Sequence, residues 1–158
     1  MADTIQIRRG AQQDWAALAE VFHRAVHEGA GLYTPVQRLA WSPASRAGAD
    51  WSLRMTRQSV MLAEAERAGP VGFLTSELNG YFDCAYILPA YQGRGLFRQL
   101  YAPLEDEQRT HNLKRLHVHA SLHARPAFAA MGFTIVRPET VKMDGDIWLP
   151  RFSMEKQL

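Results

Sequence analysis

Three strand-like runs follow one another between residues 59 and 88, and they restrict the fold more than any other feature of the chain. The first two runs are separated by Ala68-Gly69-Pro70, and the second and third by Asn79-Gly80. Glycine and proline between apolar runs are typical of tight turns, and an Asn-Gly pair is a strong hairpin signal. The three runs are therefore predicted to form an antiparallel meander.

Helices and further strands are predicted on both sides of this meander. Before it, a strand is expected near residues 4–9, a helix begins near Trp15, and a short helix covers residues 49–58. After it come a helix, a strand, a short helix and two strands, over residues 95–111, 114–121, 124–132, 134–143 and 146–156. The order predicts a mixed α/β (α+β) protein with a mostly antiparallel sheet. Pro103 is expected to kink the longer of these helices or to divide it.

Length and composition favour one ordinary domain. The chain has 158 residues, a formal net charge of +2 and 47% hydrophobic residues, so we expect a single domain over residues 1–158. The basic residues form no run, which disfavours nucleic acid as a partner. No stretch approaches the ~20 apolar residues of a membrane span. One cysteine, Cys84, and a start without an apolar signal core predict a cytoplasmic protein.

A glycine-containing turn, Gln92-Gly93-Arg94-Gly95, lies between the meander and the helix that follows it. A dinucleotide fingerprint would need a third glycine where Arg98 stands, and a P-loop would need Gly-Lys-Ser/Thr. A glycine turn at a helix start still offers free backbone N–H groups and the positive end of the helix dipole. The turn is thus either an anion-binding site, with Arg94 adding charge, or a bend that binds nothing.

The stretch "ILPAYQGRGLFRQLYAPLE" resembles the acetyl-CoA motif of the GNAT acetyltransferase family. In that motif a strand ends in apolar-x-Pro and continues as Gln/Arg-x-x-Gly-x-Gly/Ala. Gln92 and Gly95 match this pattern, whereas Phe97 departs from it at the last small residue.

The stretch "SLHARPAFAAMGF" resembles the second motif of the same family. Ser121 stands in place of the family's asparagine and Phe128 in place of its tyrosine, while Gly132-Phe133 match. Within the family the pattern is most similar to the YafP-type bacterial acetyltransferases, on Asp83, Ala120-Ser121 and the ending Met154-Glu155-Lys156.

The resemblance implies the GNAT fold and its chemistry. The expected sheet has about seven strands and is splayed between the fourth and fifth strands, with about four helices and with acetyl-CoA in the gap. The implied function is that of an acetyl-CoA-dependent N-acetyltransferase, in which a small-molecule or peptide amine attacks the cosubstrate directly in a ternary complex. Phe97 and Phe128 keep open the alternative of a non-catalytic acyl-CoA-binding or regulatory module.

The resemblance also implies a set of cofactor-binding residues. In the family a backbone N–H at the end of the fourth strand polarises the thioester carbonyl, and this position falls at Ile87 or Leu88. The full predicted cofactor set is Ile87, Leu88, Gln92, Gly93, Arg94, Gly95, Leu96, Phe97, Ser121 and Phe128.

The candidate base is Asp83, a carboxylate in an otherwise apolar strand. Simple alternation places Asp83 on the same face as Ile87, and it places Cys84 on the opposite face with Phe82 and Tyr86. Half-burial is expected to raise the pKa of Asp83. The alternative is that Asp83 pairs with an arginine.

The remaining roles fall to residues outside this strand. Phe128 has no proton to give to the leaving thiolate, so Ser121 and His123 become candidate acids. The loop after the first helix is expected to bind the acceptor through Glu28, Tyr33 and Trp41. The histidine pairs at positions 23/27 and 117/119 lack further ligands, so no metal is expected. A homodimer is left open.

Overall fold

The computed structural model describes residues 3–158, which form one seven-stranded sheet and five α-helices. The elements are β1 Ile5–Arg9, α1 Trp15–Gly29, α2 Pro35–Trp41, α3 Gly48–Thr56, β2 Ser59–Ala65, β3 Gly69–Ser76, β4 Tyr81–Ile87, α4 Leu96–Thr110, β5 Arg115–Ser121, α5 Arg125–Ala130, β6 Thr134–Met143 and β7 Ile147–Gln157. The strand order is β1-β2-β3-β4-β5-β7-β6. The predicted mixed fold and the β2-β3-β4 meander are confirmed.

The structure has one helix more than the sequence predicted. Helix α2 begins with Thr34, whose hydroxyl accepts a hydrogen bond from the backbone N–H of Gln37, while the Gln37 side chain accepts from the N–H of Thr34. Pro35 occupies the first helical position, where its missing N–H is not needed. This reciprocal cap explains why seven residues without a buried face form a helix.

Both faces of the sheet are covered by helices. Phe73 of β3 packs edge-on against Trp51 of α3 at 6.4 Å between ring centroids, on the face that α1 also covers. On the other face, Gln108 of α4 donates to Ser76. Helix α4 is continuous through Pro103, so the predicted division is not found. Within residues 3–158, none of the helices has the length and apolar character needed to cross a membrane.

Strand β4 contains an irregularity that simple alternation could not foresee. Leu74 pairs with Ala85, whereas Ser76, two residues further along β3, pairs with Phe82, three residues back along β4. Strand β4 therefore has one extra residue between these pairs, which is the definition of a β-bulge.

The bulge reverses the faces of the second half of β4. Phe82 stacks on Tyr101 of α4, with ring centroids 5.4 Å apart, but Tyr86 packs on Phe22 of α1 at 4.3 Å. The prediction that Phe82 and Tyr86 share a face is therefore wrong, because an inserted residue shifts the two-residue period by one.

Strands β4 and β5 pair in parallel over only two positions. The partners are Tyr81 with His117 and Phe82 with Val118, whereas β5 pairs with β7 along its whole length. Beyond Phe82 the two parallel strands separate, and a gap opens between them. The predicted splay between the fourth and fifth strands is confirmed.

Gly80 is expected to be essential for the point where β4 and β5 meet. Its φ is +88°, its carbonyl accepts from the N–H of His117, and an added Cβ would lie 2.7 Å from the Arg115 carbonyl oxygen. Gly80→Ala should lower the free energy of unfolding by about 2–3 kcal/mol in urea titrations, because the backbone must move in addition to bearing the ~1–3 kcal/mol of a strained φ.

Gly69→Ala is the matched control, since Gly69 has a φ of +75° and open space around its Cβ position. Gly69→Ala should lower the free energy of unfolding only by the cost of the strained φ, which is smaller than the loss in Gly80→Ala. Equal losses in the two variants would contradict the importance of the close approach to Arg115.

Candidate active site

Two cavities meet in the gap between β4 and β5. The larger cavity, of about 470 Å³, lies between the end of β4, the Gln92–Gly95 turn and α5. The smaller cavity, of about 220 Å³, lies between β4, β5 and β7. The residues that line both cavities, here called the junction, are Trp41, Ala85, Tyr86, Ser121 and Ala124. The two cavities are therefore neighbours, with these five residues bordering both.

The turn before α4 lies beside the larger cavity, and Gly93, Gly95 and the first residues of α4 line it. Gly93 and Gly95 have φ values of +74° and +76°, a conformation that other residues rarely adopt. Among the described residues, the amides of residues 93–95 donate to no carbonyl, and the first-turn amides of residues 96–98 have no acceptor within the helix. Six N–H groups thus remain free to bind an anion.

Ile87 and Leu88 differ in what their amides can do. The N–H of Leu88 donates to Val71 at 2.9 Å, so it is used within the sheet. Neighbouring residues of a strand direct their N–H groups to opposite sides, so the N–H of Ile87 points away from β3 and into the gap. The Gln92 side chain donates to the Ile87 carbonyl at 3.0 Å and fixes this strand end. Ile87 fits the predicted role, whereas assigning that role to Leu88 is wrong.

The two departures from the family motifs pack against each other. Phe97 lies edge-on to Phe128 at 5.0 Å between ring centroids and parallel to Tyr101 at 6.5 Å. Phe128 is fully buried, and the Leu96 side chain is buried as well. Arg94, by contrast, lies over the Tyr91 ring at 5.2 Å. Phe97 therefore packs on the apolar surface between α4 and α5.

Asp83 lies in an ion pair at the edge of the smaller cavity. Its Oδ2 accepts from Arg54 Nε at 2.7 Å and from Gln58 Nε2 at 2.8 Å, and its Oδ1 accepts from Arg54 Nη2 at 3.0 Å. Burial alone would raise the pKa of Asp83, but Arg54 and Gln58 outweigh it and hold the pKa below its ordinary value. The expected rise in pKa is wrong, and the arginine pairing is confirmed. A carboxylate held by three donors is a weak base.

Cys84 does not face away from Asp83. Its Sγ lies 3.8 Å from the Asp83 carboxylate, because the bulge brings consecutive side chains to one side. Burial raises the pKa of the Cys84 thiol to about 12, so the thiol stays protonated and is no nucleophile.

Ser121 and His123, the predicted acids, differ in their contacts. The Ser121 hydroxyl accepts from the N–H of Ala124 at 3.0 Å, and its own proton stays available at the junction. The His123 Nε2 accepts from the N–H of Leu32 at 2.9 Å, and burial lowers the pKa of His123. A neutral imidazole that already accepts at Nε2 is a poor acid, so the structure argues against that role for His123.

Of the three predicted acceptor-binding residues, two line the smaller cavity and one does not. Glu28 pairs with Arg24 on the exposed side of α1 and lines neither cavity, so the structure does not bring it to the site. Tyr33 lines the smaller cavity, and its hydroxyl donates to the Pro150 carbonyl at 2.7 Å. Trp41 lies edge-on to Tyr33 at 5.3 Å and belongs to the junction.

His119 is a site residue that sequence reasoning missed. It lines the smaller cavity, and its Nδ1 is hydrogen-bonded to the Glu139 carboxylate of β6. Burial would raise the pKa of Glu139, but His119 and Arg151 outweigh it and lower the pKa, so the carboxylate is ionised. An ionised carboxylate only accepts, so Nδ1 carries a proton, and Nε2 is the ring nitrogen left for a partner in the cavity. The sequence alone does not show this pair, because Glu139 lies 20 residues from His119 and on another strand.

Tyr86 is the second missed residue. It belongs to the junction, and burial keeps the pKa of its phenol well above the ordinary value, so the hydroxyl stays protonated. Simple alternation had placed it on the face of Phe82 and Cys84, opposite Asp83, and the bulge in β4 brings it to the cavities.

The histidine pair at positions 23 and 27 holds α1 against the segment that follows α2. His23 and His27 contact the hydroxyl and the carbonyl of Ser42, each at 2.7 Å. In the part of the chain that the structure describes, no three His, Cys, Asp or Glu side chains are grouped so that they could hold a metal ion.

The sequence as a whole matches known proteins. The model of the acetyltransferase (GNAT) domain matches residues 33–158. The chain is 32% identical over 153 residues to the uncharacterized N-acetyltransferase YafP of Escherichia coli (strain K12), covering 96% of this chain and 95% of that protein. The chain therefore belongs to the GNAT acetyltransferase family, and the predicted similarity to YafP is confirmed.

Solved structures share the fold. A GCN5-related N-acetyltransferase from Rhodopseudomonas palustris, also named aminotransferase class-II, is 28% identical with a TM-score of 0.88, over 100% of this chain and 99% of that one. The acetyltransferase yncA of Salmonella typhimurium, solved with its cofactor acetyl-CoA, is 22% identical with a TM-score of 0.69, over 98% and 94%.

The ion pair of Asp83 is expected to stabilise the fold. Asp83→Asn should lower the free energy of unfolding at pH 7 by about 2–4 kcal/mol, because it leaves the half-buried Arg54 without its counter-charge. Folding lowers the pKa of Asp83. The stabilisation by Asp83 is therefore fully present at pH values above its pKa in the unfolded chain, ~3.9. It is lost as the pH falls through the pKa in the folded protein. Urea titrations at several pH values measure this.

Glu28→Gln is the control, since it breaks an exposed pair within one helix. It should change stability by at most about 0.5 kcal/mol. A loss in Asp83→Asn as small as this, or one that grows as the solution is acidified, would contradict the stabilising role.

Proposed function

We propose that this protein is an acetyl-CoA-dependent N-acetyltransferase in which an amine attacks the thioester directly. The observation that carries the proposal is the meeting of two cavities in the β4/β5 gap, one of them ending at six free amides. Membership of the GNAT family supports it. Direct attack requires both substrates to be bound side by side, and two neighbouring cavities are suited to this arrangement.

The larger cavity takes acetyl-CoA in this proposal. Its pyrophosphate accepts from the amides of residues 93–98, where the dipole of α4 also favours negative charge. Glycine at positions 93 and 95 leaves room for phosphate oxygens beside the backbone. The Ser121 hydroxyl donates to the pantetheine arm, and the N–H of Ile87 donates to the thioester carbonyl. A donor aimed at this oxygen stabilises the charge that develops during attack.

The smaller cavity takes the acceptor, and His119 is its base. Nε2 of His119 removes the proton that the amine nitrogen loses while the new C–N bond forms and the C–S bond breaks. Glu139 stabilises the imidazolium that results. His119 and Ser121 lie two residues apart on one face of β5, which places His119 about 7 Å from the junction along the strand. The Tyr86 hydroxyl donates its proton to the departing thiolate, in place of the phenol that Phe128 lacks.

The non-catalytic alternative rested on Phe97 and Phe128. Their mutual packing explains both residues as part of the apolar surface between α4 and α5. Thiol release from acetyl-CoA with a panel of amines separates the two functions, because a binding module would hold acetyl-CoA and release no thiol.

Gly95→Glu tests the cofactor site. The new carboxylate would lie beside the free amides and repel the phosphates, so calorimetry should detect no acetyl-CoA binding. Gly69→Glu places the same side chain at a similar φ of +75° in the β2–β3 hairpin, and it should bind like the wild type. Wild-type affinity in Gly95→Glu would remove the cofactor from this turn.

His119→Asn tests the base. Turnover with the best amine of the panel should fall by roughly 10²–10⁴-fold, with the dissociation constant for acetyl-CoA unchanged. The wild-type rate should rise with pH through one ionisation, and His119→Asn should lack that rise. Turnover in Glu139→Gln should also fall, because the imidazolium that forms during the reaction loses its counter-charge.

Asp83→Asn should keep the rise with pH even if its overall rate is lower. If Asp83→Asn abolishes the rise and His119→Asn preserves it, the base is Asp83 and the assignment of His119 is wrong.

A further inference from the structure

The smaller cavity carries more positive than negative charge. Three guanidinium groups line it, those of Arg46, Arg54 and Arg151. Arg54 is neutralised by Asp83 in a pair with two direct hydrogen bonds. Excess positive charge must therefore reside on the other two arginines, unless each of them has a carboxylate of its own.

Arg151 shares its carboxylate partner with other cationic side chains. Its Nε donates to Glu139 at 2.9 Å, but Glu139 is also bonded to His119 and lies 3.7 Å from Arg137. When His119 is protonated during turnover, the same carboxylate must compensate two or three cations.

Arg46 has no carboxylate partner among residues 3–158. Its Nη2 donates to the Trp41 carbonyl at 3.1 Å, and its Cζ lies 4.7 Å from the centroid of the Phe22 ring. These contacts hold the half-buried guanidinium in place while most of its five N–H donors remain unused. A fixed guanidinium with free donors matches the geometry of a carboxylate.

The size and walls of the cavity restrict the rest of the acceptor. A volume of about 220 Å³ is below the ~300–1,000 Å³ of pockets for drug-sized ligands, so the acceptor is small. Its walls include the rings of Phe22, Tyr33, Trp41 and Tyr86. Such walls favour an apolar or aromatic body.

We propose that the acceptor is a small amino acid, or a similar amine that carries a carboxylate, with an apolar side chain. The carboxylate binds Arg46, the side chain packs on the aromatic walls, and the amine lies at the junction within reach of His119. The proposal rests on the acetyltransferase function proposed above and deepens it. Polyamines, aminoglycosides and lysine side chains are disfavoured, because their positive charges meet Arg46 without a counter-charge.

The first test is a comparison of matched amines. Thiol release from acetyl-CoA is measured with L-phenylalanine, L-leucine and L-methionine, and with the amines that lack their carboxylates: phenethylamine, isoamylamine and 3-(methylthio)propylamine. Spermidine and a lysine peptide complete the panel. At least one amino acid should exceed its matched amine in kcat/KM by roughly 10-fold or more, since a charged hydrogen bond contributes at least this much.

The second test is the variant Arg46→Gln. It should lower kcat/KM for the preferred amino acid by roughly 10- to 100-fold and leave kcat/KM for the matched amine nearly unchanged, so the preference disappears. The dissociation constant for acetyl-CoA should not change. Arg57→Gln, at an exposed position after α3 that lines neither cavity, should retain the wild-type preference.

The outcomes separate this inference from the function on which it rests. Acetyl-CoA binding with equal or better turnover of the carboxylate-free amines, spermidine or the peptide overturns the inference alone. A preference for amino acids that survives in Arg46→Gln also overturns it. Thiol release from no amine at all overturns the proposed function and this inference with it.

Discussion

The parallel contact between β4 and β5 is the feature on which the rest of the site depends. It extends over two residue pairs and then stops, so one side of β4 loses its strand partner while the other side stays paired with β3. Backbone N–H and C=O groups without partners are unfavourable when they are buried. In the gap, the Gln92 side chain donates to the carbonyl of Ile87, and the N–H of Ile87 is left for a ligand. The opening in the sheet thus creates the space and supplies a donor directed into it.

The bulge in β4 decides which side chains face this space. With one extra residue, Asp83 and Cys84 lie together near Arg54, and Tyr86 reaches the junction. A regular strand would have placed Tyr86 on the same face as Phe82, in the core against α4. Charge pairing then divides the roles. Asp83 is occupied by Arg54, whereas His119 keeps a free ring nitrogen next to the cavity.

Much of this architecture could be predicted from the sequence, because its signals are local. The hairpin signal at Asn79-Gly80 and the two family motifs identified the meander and the splay, and the first motif contains the turn at Gly93 and Gly95 to which the proposal assigns the pyrophosphate. What was missed depends on distant pairs. The Glu139 partner of His119 depends on the register of three strands, and the bulge depends on how β3 meets β4. The direction of the pKa shift of Asp83 was misjudged because Arg54 comes from a helix 29 residues earlier.

Hydrogen exchange of the backbone amides tests the central claim most directly, which is that the gap and the turn together form the cofactor site. With acetyl-CoA present, the amides of residues 93–98 and of Ile87 should exchange more slowly, because they become hydrogen-bonded. The β2–β3 hairpin around Gly69, on the far side of the meander, should exchange as it does without the ligand. Protection elsewhere in the protein, with residues 93–98 and Ile87 unchanged at saturating acetyl-CoA, would contradict the account.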